Sequence, residues 1–400
     1  MAWTGIAWNA RDRAGWRRLG GFWVALLSLM AIGTGVVQWL GPPAGASREA
    51  AGQSADKALL ATATPGSASV HPDASSPVVT ARPGLVAPVI SGRDTPGPVV
   101  DPEPALLEAA TNGSKQNLPR IASDGRTAMR AYAAGFDHSS RRPRIGLLLA
   151  GIGMNEAESD AAIRALPGAV SLAVSPYAAP VEPTGGPPAA PTANGTAAIG
   201  ANLARLLATA RTNGHEYLIA IPLEPAGFPL NDPGPSTLLT GASPSENVRN
   251  LHWALSRIDG YVGATGVVGT MRGERLAAMT DQMDAVLSEL YARGLLYVDP
   301  REGPGPISKA WGRHVNLVID DPADQGVADR TMIDAKLAAL EQQARDTGSA
   351  LGLVMLPTPV AVARIAAWSN GLADRGLTLA PVSALAMPPT DVPVKLSERD

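Results

Sequence analysis

From about residue 141 onward, short apolar runs alternate with amphipathic segments, and this alternation limits the fold more than any other feature. Arg144-Ile145-Gly146-Leu147-Leu148-Leu149-Ala150 is a continuous apolar stretch bounded by Gly151-Ile152-Gly153. A short run that is apolar throughout suits a strand buried on both faces of a parallel sheet. Further strands are predicted over 169–174, 217–221, 261–265, 295–299, 315–319, 350–355 and 377–380. Helices are predicted over 156–165, 198–212, 246–258, 274–293 and 331–345, with a last one from 358 to 376. Strand and helix alternate about seven times in roughly 250 residues, the rhythm of a (β/α) barrel, with a doubly wound open sheet as the alternative.

One loop stands out within that alternation. The run IPLEPAGFPLNDPGPSTLLTG, ending at Gly241, leaves a predicted strand and passes through Asn231-Asp232-Pro233-Gly234-Pro235. It meets a helix start with three agreeing signals: Ser243 as N-cap, Pro244 at the first helical position and Glu246 closing an S-x-x-E box. Long loops at the ends of strands are where α/β proteins keep binding groups, and Glu224, Asn231 and Asp232 lie on this one. A rigid Pro-rich connector is the alternative reading.

The front of the 400-residue chain reads differently. Arg11, Arg13, Arg17 and Arg18 precede the uncharged run Gly20 to Leu40. Roughly 20 apolar residues reach across a bilayer. The arginines keep the N-terminus in the cytoplasm, and Trp23 and Trp39 suit the two interfaces. The organisation expected is a cytoplasmic segment over 1–19, a transmembrane anchor over 20–40 in the bacterial inner membrane and a disordered Pro/Ala/Ser-rich linker over 41–140. A globular domain in the periplasm over 141–390 completes it. Ala44-Gly45-Ala46 would serve a cleaved signal peptide instead.

With 0 cysteines the chain has neither disulfides nor thiolate ligands, and a formal net charge of -3 with no basic block in the domain gives no footprint for nucleic acid. Gly151-Ile152-Gly153 is not a dinucleotide fingerprint, since Glu156 stands where a third glycine belongs.

The stretches RIGLLLAGIG, LPGAVSLAVSPYA, GHEYLIAIPLEP, NDPGPSTLLTG, ENVRNLHWALSRIDGYVGATG and RGLLYVDPR together resemble the divergent polysaccharide deacetylase family, a branch of the NodB-like carbohydrate esterases. The resemblance covers nearly all of 143–388 and implies a distorted (β/α)₇ NodB-like barrel. It also implies a metal-dependent deacetylase, with an aspartate and two histidines on a divalent metal and a second aspartate as base. Here the matching positions are Ala150 and Gly151, about Val267, and near Met355, so the implied cofactor has lost its ligands. The 5 histidines do not replace them: His71 and His138 fall in the linker, His215 and His314 just before strands, and His252 within a helix. No metal ligand is therefore assigned.

The polar groups expected on the active face are Glu224, Asn231, Asp232, Thr265 and Arg272 as binding residues, and Asp299, Arg301, Asp320 and Asp321 as catalytic ones. Asp299 and Arg301 match the family's strand-end Asp-x-Arg; a loop-pinning salt bridge is the plainer reading. Asp320-Asp321 with Glu224 would suit an oxygen-only Mg²⁺ or Ca²⁺ site, or acid–base work on a glycosidic bond, or merely a helix cap. Two functions follow. One is a membrane-tethered, metal-free relative of the deacetylases that binds envelope glycan or an envelope protein; the other is an active hydrolase or deacetylase with a rebuilt carboxylate site.

Overall fold

The computed structural model describes residues 93–109, 117–179, 196–321 and 329–391. The expected cytoplasmic segment and transmembrane anchor lie outside them. Among the described residues no helix is long and apolar enough to cross a membrane.

The chain enters through a short hairpin, β1 (Leu107–Ala109) with β2 (Asn117–Pro119), and a single helical turn, α1 (Ala128–Ala131). The barrel follows as β3 (Arg144–Ile152), α2 (Glu156–Ala165), β4 (Ser171–Val174), α3 (Thr196–Thr212), β5 (Tyr217–Ala220), α4 (Pro244–Leu255) and β6 (Gly263–Thr265). It continues with α5 (Glu274–Ala277), α6 (Thr280–Ala292), β7 (Leu296–Glu302), β8 (Trp311–Val315) and β9 (Leu317–Val318). Helix α7 (Arg330–Thr347), β10 (Ser349–Val354), α8 (Pro359–Ser369) and β11 (Thr378–Leu379) complete it.

All strand pairs after the hairpin are parallel, in the order β8-β7-β6-β5-β4-β3-β10-β9, with β11 added beside β3. The two ends of this row, β8 and β9, are consecutive in the chain and separated by Asn316 alone. The sheet therefore curls into a nearly closed barrel, and β8 with β9 acts as one broken strand, which restores the sevenfold rhythm of the sequence. Asn316 holds the seam: its N–H donates to Leu351 O at 2.8 Å, and its Oδ1 accepts from Leu351 N at 2.8 Å and from Arg313 Nη2 at 2.7 Å. Arg313 is buried with no carboxylate beside it among the described residues, and desolvation lowers its guanidinium to about 10.

Local signals explain most elements. Ser243 Oγ accepts from Glu246 N at 3.3 Å and Ser243 N donates to Glu246 Oε2 at 2.9 Å, the reciprocal box expected at the start of α4. The apolar runs are buried: every residue of β3 after Arg144, and all of β4.

Three expectations need correction. The segment over 41–140 is not disordered linker throughout, for the described part of it packs on the barrel: Val99, Leu106, Leu118, Tyr132 and Phe136 join the hydrophobic core. Its backbone is tied to the ends of helices and starts of strands, with Val99 N donating to Arg211 O at 2.8 Å and Met129 N to Gly294 O at 3.1 Å. Ala134 N donates to the fully buried Glu216 carboxylate at 2.9 Å. These contacts place the strap over the pole where strands begin, and an extended wrap of this kind leaves no periodic signature.

The helix expected over 274–293 is two helices broken at Ala278-Met279. Its first turn is drawn to the preceding loop, because Arg275 N and Leu276 N both donate to Glu224 O at 3.1 Å. Met279 leaves the apolar stripe and is 47 % exposed. Finally, the strand expected over 315–319 begins at Trp311, which places His314 within β8 rather than ahead of it.

Candidate functional site

The C-terminal ends of the strands form the mouth of the barrel, where β/α proteins carry their ligand groups. Asp299 and Arg301 meet there. Between β7 and β8 the register shifts, pairing Asp299 with His314 and then Glu302 with Val315. The bulge takes up Pro300 and Arg301 and turns the Arg301 side chain back on Asp299. Arg301 N donates to Asp299 Oδ1 at 2.9 Å, Nε lies 3.0 Å from Oδ1, and Nη2 donates to Oδ2 at 2.6 Å. Asp299 is 2 % exposed, so its charge is neutralised in place.

His314 is the residue sequence reasoning misplaced. The place expected for it, just before a strand, is at the opposite pole of a barrel, yet its Nδ1 lies 3.5 Å from Asp299 Oδ2, an ion-pair separation longer than a well-formed hydrogen bond. The signal lies in WGRHV, an aromatic and a β-branched residue bracketing a short run in which a buried arginine disguises the strand. Tyr297, two residues before Asp299 on the same strand face, has a fully buried hydroxyl with no hydrogen-bond partner among the described residues. Burial, and then the Asp299 charge, push its phenol well above the ordinary range.

A second charged group adjoins. Arg272 Nε lies 3.3 Å from Glu274 Oε1 and Nη2 lies 3.5 Å from Asp321 Oδ2. Glu274, which the sequence reading did not single out, also takes Ala226 N–H at 3.3 Å. It lines a cleft of about 460 Å³ together with Pro225, Leu230, Asn231, Asp232 and Met271. Asn231 and Asp232 shape this loop: Asn231 Nδ2 donates to Ala226 O at 3.0 Å, and Asp232 Oδ1 accepts from Gly234 N at 2.9 Å. Leu230 projects from the loop tip, 95 % exposed.

The other expected residues have structural work. Glu224 is buried and accepts from Thr240 N at 2.5 Å and Thr240 Oγ1 at 2.8 Å, with Arg275 Nη1 3.0 Å away, so it clamps the long loop. Asp320 accepts from Met355 N at 2.7 Å and Leu356 N at 3.2 Å, and burial raises its carboxyl above the ordinary value. Thr265 is fully buried, its hydroxyl lacking a partner among the described residues. The oxygen-only site imagined from Glu224, Asp320 and Asp321 does not form: among the described residues no three His, Cys, Asp or Glu side chains converge to hold a metal.

Comparison with known proteins agrees with this fold. Residues 193–386 match the family model described as divergent polysaccharide deacetylase. A crystal structure of an uncharacterized protein from Agrobacterium tumefaciens C58 is similar, at 28 % identity and a TM-score of 0.55, over 68 % of this chain and 99 % of that one. No curated protein matches.

Proposed function

We propose, from the premise that this barrel is a member of the divergent polysaccharide deacetylase family, that it recognises an envelope polysaccharide at its mouth without metal-dependent deacetylation. What supports this reading is the chemistry of the positions where metal-binding members carry ligands. Ala150, Val267 and Met355 are buried and offer no oxygen or nitrogen donor on their side chains. Gly151 cannot regain a carboxylate cheaply. Its φ is +76°, and a Cβ would stand 3.1 Å from both Leu356 Cδ2 and Pro357 Cδ.

The family ties the domain to carbohydrate, and the Asp299–Arg301 pair, whose guanidinium interacts by charge with the cleft residue Glu274, is the group that would meet a saccharide. In this reading the apolar run over 20–40 anchors the protein in the inner membrane and leaves the barrel in the periplasm, facing glycan or an envelope protein.

The test is calorimetric titration of the full chain with chitotetraose, a neutral N-acetylated probe. Asp299→Ala and Arg301→Ala are expected to weaken binding tenfold or more while circular dichroism still reports a folded barrel. Wild-type affinity in both variants would remove the pair from the site.

A further inference from the structure

Arg301 and His314 reach for the same carboxylate oxygen. Asp299 Oδ2 is 2.6 Å from Arg301 Nη2 and 3.5 Å from His314 Nδ1. Nothing else engages that imidazole nitrogen among the described residues. We propose that His314 and Arg301 compete for Asp299, so that proton uptake by the imidazole frees the Arg301 guanidinium to receive the carboxylate of an acidic saccharide. The proposal rests on the mouth being the saccharide site, and deepens it by naming the ligand class and its control by pH.

The charge balance carries the argument. With a neutral ring, Asp299 and Arg301 cancel, and the guanidinium's best acceptor is already beside it. An imidazolium adds one positive charge to the group and competes with Nη2 for Oδ2. The added charge bears on Asp299, the carboxylate that both cations flank, and loosens its hold on Arg301. Arg301 and His314 side chains are 33 % and 25 % exposed, within reach of a solute, whereas the Asp299 side chain is only 3 % exposed. A planar carboxylate matches the guanidinium fork, which a hydroxyl does not.

Charged groups on the strands that pack around the ring leave this competition intact. On β7 they are Asp299, Arg301 and Glu302; on β8 the neighbour is Arg313. Glu302 Oε1 accepts from Val318 N at 2.8 Å, an uncharged partner, and Glu274 also bears on Arg301 through its charge. Arg313 is turned to Ser349 Oγ at 3.1 Å and Asn316 Oδ1 at 2.7 Å, so Asn316 and β10 present uncharged partners at the seam. Around the cleft, Arg272 is taken up by Glu274 and Asp321.

The experiment titrates the full chain with tetragalacturonate and with chitotetraose at about pH 5.5 and about pH 7.5, a window in which an imidazole changes charge while the uronate stays ionised. Wild type is expected to bind tetragalacturonate about tenfold more tightly at the lower pH, the range one linked proton supplies, and chitotetraose equally at both. His314→Gln should bind tetragalacturonate with one affinity at both pH values, and Arg301→Gln should lose it. Tetragalacturonate bound by wild type equally at both pH values, or a pH dependence kept in His314→Gln, overturns the switch and leaves the mouth as a saccharide site. Failure of both probes to bind wild type at either pH overturns the saccharide reading, and the switch with it.

Discussion

His314 Nδ1 stands 3.5 Å from Oδ2 of Asp299, across the β7–β8 register that pairs these two residues. The contact exists because β8 starts at Trp311 and β7 bulges at Pro300-Arg301. A strand beginning four residues later would have left the ring at the other pole. The candidate site is thus a product of register as much as of residue type, and Asp299 is the carboxylate that Arg301 and His314 both flank.

The strap over the barrel's base should be part of the folding unit. A chain beginning at Arg141 lacks Val99, Leu106, Leu118, Tyr132 and Phe136, all buried in the core. At roughly 1.5–3 kcal/mol for each fully buried large apolar side chain, the loss is on the order of the whole stability of a domain. Urea unfolding should find a cooperative transition for a chain beginning at Arg93 and none for one beginning at Arg141. Equal midpoints would show that the strap is ornamental.

Glu216 joins three parts of the molecule. Its carboxylate takes Ala134 N at 2.9 Å, Ser171 Oγ at 2.8 Å, Ser383 N at 2.9 Å and Ser383 Oγ at 2.6 Å. Glu216→Gln keeps the shape but turns an amide NH₂ toward these donors. A buried donor left without an acceptor costs about 1–3 kcal/mol. Chemical denaturation should report a loss of at least about 2 kcal/mol, and a variant within a few tenths of wild type would refute the donor count.

Glu289 governs the acid limb of stability. Its carboxyl is lowered from 4.5 to about 2, chiefly by the bond to His252 Nε2 at 2.6 Å and then by Arg293 Nε at 2.6 Å. A depressed folded value means that this contribution is complete above the unfolded value and disappears as pH falls through the folded one. Wild type should therefore lose stability between pH 4.5 and about 2, and Glu289→Gln should show a shallower loss across the same window. Thermal melts over that range decide it; parallel curves would assign the acid limb to other groups.

Much of this was legible in the sequence, and what was not has definite physical causes. The apolar run at Ile145, the box at Ser243 and Glu246 and the i, i+2 spacing of Asp299 and Arg301 are local signals, and each survives folding as written. His314 was misread because Arg313 breaks an apolar run with a charge that is buried at the barrel seam. Glu224 was read as a ligand group because of its loop, but Thr240 and Arg275, distant in sequence, satisfy it. Asp320 likewise turns inward to two backbone donors on the neighbouring strand end. The strap escaped because an extended wrap has no period to detect.

The barrel, of which residues 193–386 match the divergent polysaccharide deacetylase family model, is proposed to meet saccharide without metal chemistry. The most direct test equilibrates the full chain with Zn²⁺, Mg²⁺ and Ca²⁺, removes the excess, and measures bound metal together with acetate released from chitotetraose. Substoichiometric metal on a folded protein, and no acetate above the buffer rate, are expected. Near-stoichiometric metal with acetate release that Asp320→Asn or Asp321→Asn abolishes would contradict that proposal and restore the carboxylates as a hydrolytic centre.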